Sequence, residues 1–273
     1  MLIPSPKLSA ADAAILETFV VPRYLSLYGD VVLEMLLASD SARVLHVGCR
    51  TGYPDRKIYE LVDGAVIVGI DPSLPALELA RNKAAVLGEV PIEYQVADEL
   101  PGSLEAGSFS HALSLHPITS DEERLNLMQA MNHLVYSGGQ VLLALPLRGS
   151  FQEVADLLRE YALKHDDGEF SKTIEAAMAT RPTIETLHEQ LEDAGLDDID
   201  VEIRQTELPF DSGRAFMEDP VSRLLILPEL RSWLGVGDLT DPMAYVRDAI
   251  DKYWSEGKLG LSLNVGCASG RRP

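Results

Sequence analysis

The chain has 273 residues, enough for one large domain or two small ones, and its 46% hydrophobic and 24% charged residues exclude the disordered, collagenous and coiled-coil classes. Lys and Arg number 23 against 43 Asp and Glu, a formal net charge of −20. A nucleic-acid partner needs a basic face, so this balance argues against one.

The first 40 residues read as helix, with Ile15, Phe19, Leu25, Val32, Leu33 and Leu36 among the apolar positions, and Pro22 is expected to break it in two. A short strand at 44–47 runs into a glycine-bearing turn, 48–52, and a helix over 55–62. The β-branched run 65–70 reads as a buried strand. A helix over 73–87 has Ser73 as its cap, Pro75 in its first turn and Gly88 at its end. Strands follow at 92–96 and 109–115. A helix carrying Leu125, Met128, Met131 and Leu134 comes next, and Gly138-Gly139 is expected to turn it into a strand at 141–145.

Beyond Pro146 the pattern changes. Helices are expected at 151–164, 170–179 and 183–194, strands at 199–208 and 259–267, and a mostly helical insertion at 211–258. The order β-α-β-α-β-β-α-β of the first part, with apolar strands and amphipathic helices, predicts an α/β fold with a doubly wound parallel sheet covered on both faces. One domain over 1–273 with helical decorations is the simplest organisation. Its parts are N-terminal helices 1–40, a sheet-forming half 41–146, a stretch 147–210 of helices and a strand, the insertion 211–258, and a last strand and tail 259–273.

Chemistry concentrates at the turn VLHVGCRTGY, residues 44–53. Glycines at the end of a strand let backbone approach a ligand. Asp71 stands 19 residues after Gly52 at the tip of the second strand, where an acid accepts hydrogen bonds from ribose hydroxyls. Nucleotide-like ligands of open α/β sheets bind at such strand ends. The dinucleotide pattern G-x-G-x-x-G is not met, because Arg50 and Tyr53 occupy glycine places. Asp71 reads also as a turn or cap residue, Asp98 as a plain loop acid, His116 as a pocket wall, and Cys49 as a small buried residue rather than a nucleophile. Tyr24 and Tyr28 read as core or as pocket lining.

The run VLHVGCRTGY, then VIVGIDPSLPALELARNKA, VADELP, FSHALSLHPI and LVYSGGQVLLALP, resembles the class I S-adenosylmethionine-dependent methyltransferases of the type 11/25-like group, with a degenerate first motif. RPTIETLHEQLEDAGLDDIDVEIR and GLSLNVGCASGRRP resemble that family's late helix, sixth strand and antiparallel seventh strand. The resemblance implies a Rossmann-like seven-stranded sheet, S-adenosylmethionine as cofactor, and a lid built from 1–40, 147–180 and 211–258. It implies that Gly48, Cys49 and Gly52 border the methionine end of the cofactor. Asp71 and Pro72 would lie at the ribose, Ala97, Asp98 and Glu99 at the adenine, and His116 between the cofactor sulfur and the acceptor.

Three residues depart from the family pattern: His46 for the usual acid, Arg50 for the middle glycine, and Ser110 for an Asp that often braces a loop. Arg50 either pairs with the cofactor's carboxylate or fills the space of its methionine tail. Two functions follow: a methyltransferase acting on a small-molecule or protein acceptor, or a methyltransferase-like fold kept as a binding or interaction module without turnover. No metal ligand set is expected, since two cysteines, Cys49 and Cys267, make no four-thiolate site and the acidic clusters lack ligand spacing. With no run of about 18 apolar residues and no leader-like start, the chain is expected in the cytoplasm and off the membrane. The acidic surface predicts that titration with tRNA or duplex DNA gives no salt-dependent binding at micromolar concentration.

Overall fold

Apolar strands flanked by amphipathic helices have to be buried on both faces. In the computed structural model they form a seven-stranded sheet of order β3-β2-β1-β4-β5-β7-β6. Residues 1–39, 41–88, 90–235 and 238–273 are described. Asp40, expected to end the first helical stretch, and 236–237, expected within the helical insertion, lie outside them. The strands are β1 (Arg43–Val47), β2 (Val66–Asp71), β3 (Ile92–Val96), β4 (Phe109–Leu115), β5 (Val135–Pro146), β6 (Asp197–Phe210) and β7 (Leu259–Arg271). β1 to β5 run parallel, with β1 between β2 and β4. Strand order reverses at the β1–β4 pair, the position where open α/β sheets bind ligands.

The helices are α1 (Ala10–Ile15), α2 (Ser26–Met35), α3 (Asp55–Leu61), α4 (Leu74–Val86), α5 (Asp121–Leu134), α6 (Gln152–Lys164), α7 (Gly168–Ala179), α8 (Ile184–Asp193), α9 (Gly213–Glu218), α10 (Leu227–Leu234) and α11 (Thr240–Tyr253). The chain divides into two compact units, Met1–Leu145 with Ile184–Glu202 and Gly266–Pro273, and Pro146–Thr183 with Ile203–Val265.

Three expectations about the first unit need correction. Pro22 does not break the N-terminal helix: a π-helical segment, Leu16–Leu25, joins α1 to α2 around it, and the Ser26 N–H reaches back to Val21 O. The wider turn accommodates a residue that has no N–H to give. Ser73 does not cap α4 with its side chain; its hydroxyl is engaged by Leu8 of the N-terminal segment instead. Gly138-Gly139 is no turn between helix and strand but lies inside β5. Phe109 pairs Val135 while His111 already pairs Gln140, so β5 bulges there. A Cβ on Gly139 would meet Tyr136 O and Ser110 O at 2.8 and 2.9 Å. α5 starts with a reciprocal capping box between Ser120 and Glu123 and three acids in its first turn.

The second unit is mostly helical. α6 packs on α7 and α11, and α9 on α11. Its interior holds a buried ion pair. Arg181 Nη2 donates to Glu229 Oε2 at 3.2 Å, both side chains are 2% exposed, and the guanidinium lies 4.8 Å from the ring centres of Phe151 and Trp233. Burial pushes the Glu229 carboxyl above its ordinary range, and the Arg181 charge opposes that push. Among the described residues no helix is long and apolar enough to cross a membrane, and no His/Cys/Asp/Glu group could hold a metal ion.

Removing one partner of a buried pair leaves the other charge stranded, so Arg181→Ala is expected to cost about 3–5 kcal/mol at neutral pH. Glu229 then has a folded pKa raised further above its unfolded value. Its protonated form is the tolerated one, so the deficit shrinks as the pH falls towards the unfolded carboxyl pKa of about 4.3 and grows as pH rises through the folded value. Urea denaturation of Arg181→Ala and of Arg181→Ala with Glu229→Gln, at pH 5 and pH 7.5, checks this; equal losses in the two variants at both pH values would contradict it.

Candidate functional site

β1 delivers the turn 48–52 to the point of strand reversal, and β2 delivers Asp71 beside it. Asp71 is fully buried. Its Oδ2 accepts from the Ser5 hydroxyl at 2.7 Å and from the Arg50 backbone N–H at 3.0 Å. Its Oδ1 accepts from the Ser73 N–H at 2.8 Å. One carboxylate thus ties together the N-terminal segment, the glycine turn and the start of α4. Three charge-assisted bonds of this kind offset the cost of burying the ion.

Arg50 is the second charge of the site. It is 3% exposed, and its backbone sits in the left-handed region at φ 49°, a conformation natural to the glycine it replaces. The side chain turns inward. Nη1 donates to Leu115 O and Nη2 to His116 O, both at 2.8 Å, across the end of β4. Burial lowers the pKa of the guanidinium from its ordinary value, while the Asp71 carboxylate opposes the shift. In this conformation the guanidinium is engaged by two backbone carbonyls at the end of β4.

His46 lies on β1, buried, with Nδ1 2.6 Å from Asp55 Oδ1 at the start of α3. A carboxylate is therefore present behind the turn after all, supplied nine residues later in the chain. Among the described residues His46 Nε2 has no hydrogen-bond partner, and Asp55 also interacts with the Tyr94 hydroxyl. Cys49 is buried, and desolvation, followed by the nearby Asp55 and Asp71 charges, raises its thiol well above the ordinary value. A thiol held neutral is no nucleophile. Ser110 bridges to Arg43 of β1 through its hydroxyl, a bracing role.

The glycines make room, but the chain itself takes it. A Cβ on Gly52 would overlap the Tyr94 hydroxyl, and Tyr94 packs with Cys49, Leu77 and Ala80. A Cβ on Gly48 would meet Ser5 Cβ at 3.4 Å and Ile3 Cγ2 at 3.9 Å. His116 ends β4, fully buried, with Nε2 2.8 Å from Tyr24 Oη, and Tyr28 Oη donates to Tyr24 Oη at 2.9 Å. The three rings pack edge to face. Tyr24 and Tyr28 therefore belong to the core around His116.

Pro72 is buried beside Asp71, and the Ala97 N–H donates to Asp71 O at 3.2 Å. Asp98 and Glu99 are exposed. Asp98 pairs with Lys7 at 2.7 Å and takes the Ile3 N–H on its carbonyl, and Glu99 bridges to Leu2. The structure thus gathers His46, Gly48, Cys49, Arg50, Gly52, Asp71 and Pro72 at one place, with Ala97 adjoining, and sets Asp98 and Glu99 at its rim. Ser5, Asp55 and Tyr94 join them without any signal in motif or spacing.

A nucleoside with a cationic amino-acid tail needs acceptors at both ends of such a cleft. Here the Asp71 oxygens face Ser5, Arg50 and Ser73, and the β4 carbonyls face the Arg50 guanidinium. In this conformation these acceptors are engaged by groups of the chain itself.

Comparison with known proteins bears on the fold. Residues 44–139 match the family model of a methyltransferase domain. No curated protein matches the chain. Among solved structures, the YcgJ protein of Bacillus subtilis superposes with a TM-score of 0.56 at 12% identity, over 90% of this chain and 98% of that one. Phosphoethanolamine N-methyltransferase 2 of Haemonchus contortus, in complex with S-adenosyl-L-methionine, gives 0.54 at 17% identity; 90% of this chain covers 52% of that one. The [4+2]-cyclase SpnF gives 0.50 at 16% identity, over 91% and 80%. Residues 44–139 thus match a methyltransferase domain, and the seven-stranded sheet has the Rossmann-like fold of the class I methyltransferases.

Proposed function

We propose that this protein is an S-adenosylmethionine-dependent methyltransferase acting on a small-molecule or protein acceptor. One observation carries this reading: the turn 48–52 and Asp71 meet at the point of strand reversal, inside the segment that matches the methyltransferase-domain family. The Haemonchus contortus enzyme crystallised with S-adenosyl-L-methionine supports the same cofactor here. In this reading Gly48, Cys49, Arg50 and Gly52 border the methionine end with His46 behind them, Asp71 and Pro72 lie at the ribose, Ala97, Asp98 and Glu99 at the adenine, and His116 towards the acceptor. The reading requires a second conformation, in which Ser5 has released Asp71 and the Arg50 guanidinium has left the end of β4.

A second reading, a methyltransferase fold kept as a binding or interaction module, is favoured by Arg50 and by the segment 1–8, which take the acceptors that a cofactor would use. A cyclase on the same fold supports the idea that the scaffold serves chemistry other than methyl transfer.

Thermal unfolding with S-adenosylmethionine and S-adenosylhomocysteine separates the two. The first reading expects a rise in melting temperature of several degrees at saturating ligand, since about a hundredfold excess over Kd stabilises by about 2.7 kcal/mol, and expects Asp71→Ala to remove it. No shift at millimolar ligand in the wild type, in Arg50→Gly or in His46→Asp with Arg50→Gly would leave only the second reading.

A further inference from the structure

We propose that residues 3–8 are an internal competitor for the cofactor cleft, a strap that closes the site by offering Asp71 and the glycine turn the contacts of a ligand. This rests on the cofactor reading above and adds its regulation.

The strap's contacts fall on the residues assigned to the cofactor. The Ser5 hydroxyl donates to Asp71 Oδ2, the bond a ribose hydroxyl would make. Ser5 Cβ and Ile3 Cγ2 come nearest to the space over Gly48. The Ile3 N–H donates to Asp98 O, and Lys7 pairs with the Asp98 carboxylate at 2.7 Å. Leu8 exchanges two hydrogen bonds with the Ser73 hydroxyl, at 3.0 and 3.1 Å, which is why that hydroxyl does not cap α4. A segment packed at random on a sheet edge would not select a buried acid, the glycine beside it and the loop after β3 together.

The same segment buries little apolar surface. Of residues 1–8 only Ile3 and Leu8 bury an apolar side chain, and Leu2 is 70% exposed. The Lys7–Asp98 pair is solvated on both sides, with exposures of 70% and 57%, so it adds little. A cleft of about 380 Å³ runs along Met1–Pro6 on the side facing Ile118, Glu123 and Asn126. The hold is mainly polar: Met1 and Leu100 exchange two backbone hydrogen bonds, and Pro4 O accepts from the Ile118 N–H, so lifting the segment exchanges hydrogen bonds with water while exposing little apolar surface. Ligand and strap then exclude each other, and the apparent affinity is the intrinsic one reduced by the fraction of molecules with the strap lifted.

Variants of the 273-residue chain test this. Ser5→Asp sets a carboxylate against Asp71 and should expel the strap; Ser5→Ala removes only the hydroxyl and serves if the first variant folds poorly. Isothermal titration with S-adenosylhomocysteine should show Kd at least tenfold tighter for Ser5→Asp than for wild type, and tighter by a smaller factor for Ser5→Ala. Hydrogen exchange on the wild type should show the Ile3 and Leu8 amides losing protection when S-adenosylhomocysteine is added. Equal affinity in all three proteins, with the amides still protected in the complex, would overturn the strap and leave the cofactor reading standing. No binding by any of them, nor by Ser5→Asp combined with Arg50→Gly, would overturn both.

Discussion

The Asp71 carboxylate is the interaction around which the cleft is arranged. It is buried and held by one hydroxyl and two backbone N–H groups from three separate segments. A buried charge tolerates this only while every lone pair in use stays matched. The position of Arg50 follows from it. Its backbone gives an N–H to the carboxylate, its side chain brings the compensating charge, and its guanidinium settles on the carbonyls at the end of β4. Removing the acid would therefore loosen the N-terminal segment, the glycine turn and the loop after β2 together.

Much of the architecture was legible in the chain. Strand and helix order, the bounds of β3 and β4 and the convergence of the turn 48–52 with Asp71 all follow from periodicity and turn chemistry, which are local. What escaped was set by distant partners. Ser5 meets Asp71 across 66 positions and Tyr94 fills the space at Gly52 from another strand; no spacing rule links them. Ser73 has the look of a cap, yet its hydroxyl is claimed by Leu8. Gly138-Gly139 has the look of a turn, yet the ladder to β4 continues across it with extra residues taken up as a bulge.

Glycine in this fold shows why a motif underdetermines a site. Gly52 of the turn and Gly69 of β2 are needed because the Tyr94 side chain comes close to them, whereas Gly48 is favoured by its positive φ. The same small residues that let a ligand approach also let the protein close on itself. Arg50, at a positive φ that glycine would adopt without strain, sets a cation in contact with backbone carbonyls.

The His46–Asp55 contact has a consequence for the order of assembly. It joins residues nine apart, on β1 and on the first turn of α3, so the loop it closes is short and cheap in entropy. The Ser5 contacts to the same neighbourhood close a loop several times longer, and they have nothing to grip until β1, β2 and the turn between them have docked. Contacts of short separation form early and those of long separation late. The β1–turn–α3 unit is thus expected to carry its own polar anchor from the start of folding, with the N-terminal segment as the last piece laid down and the first to fray.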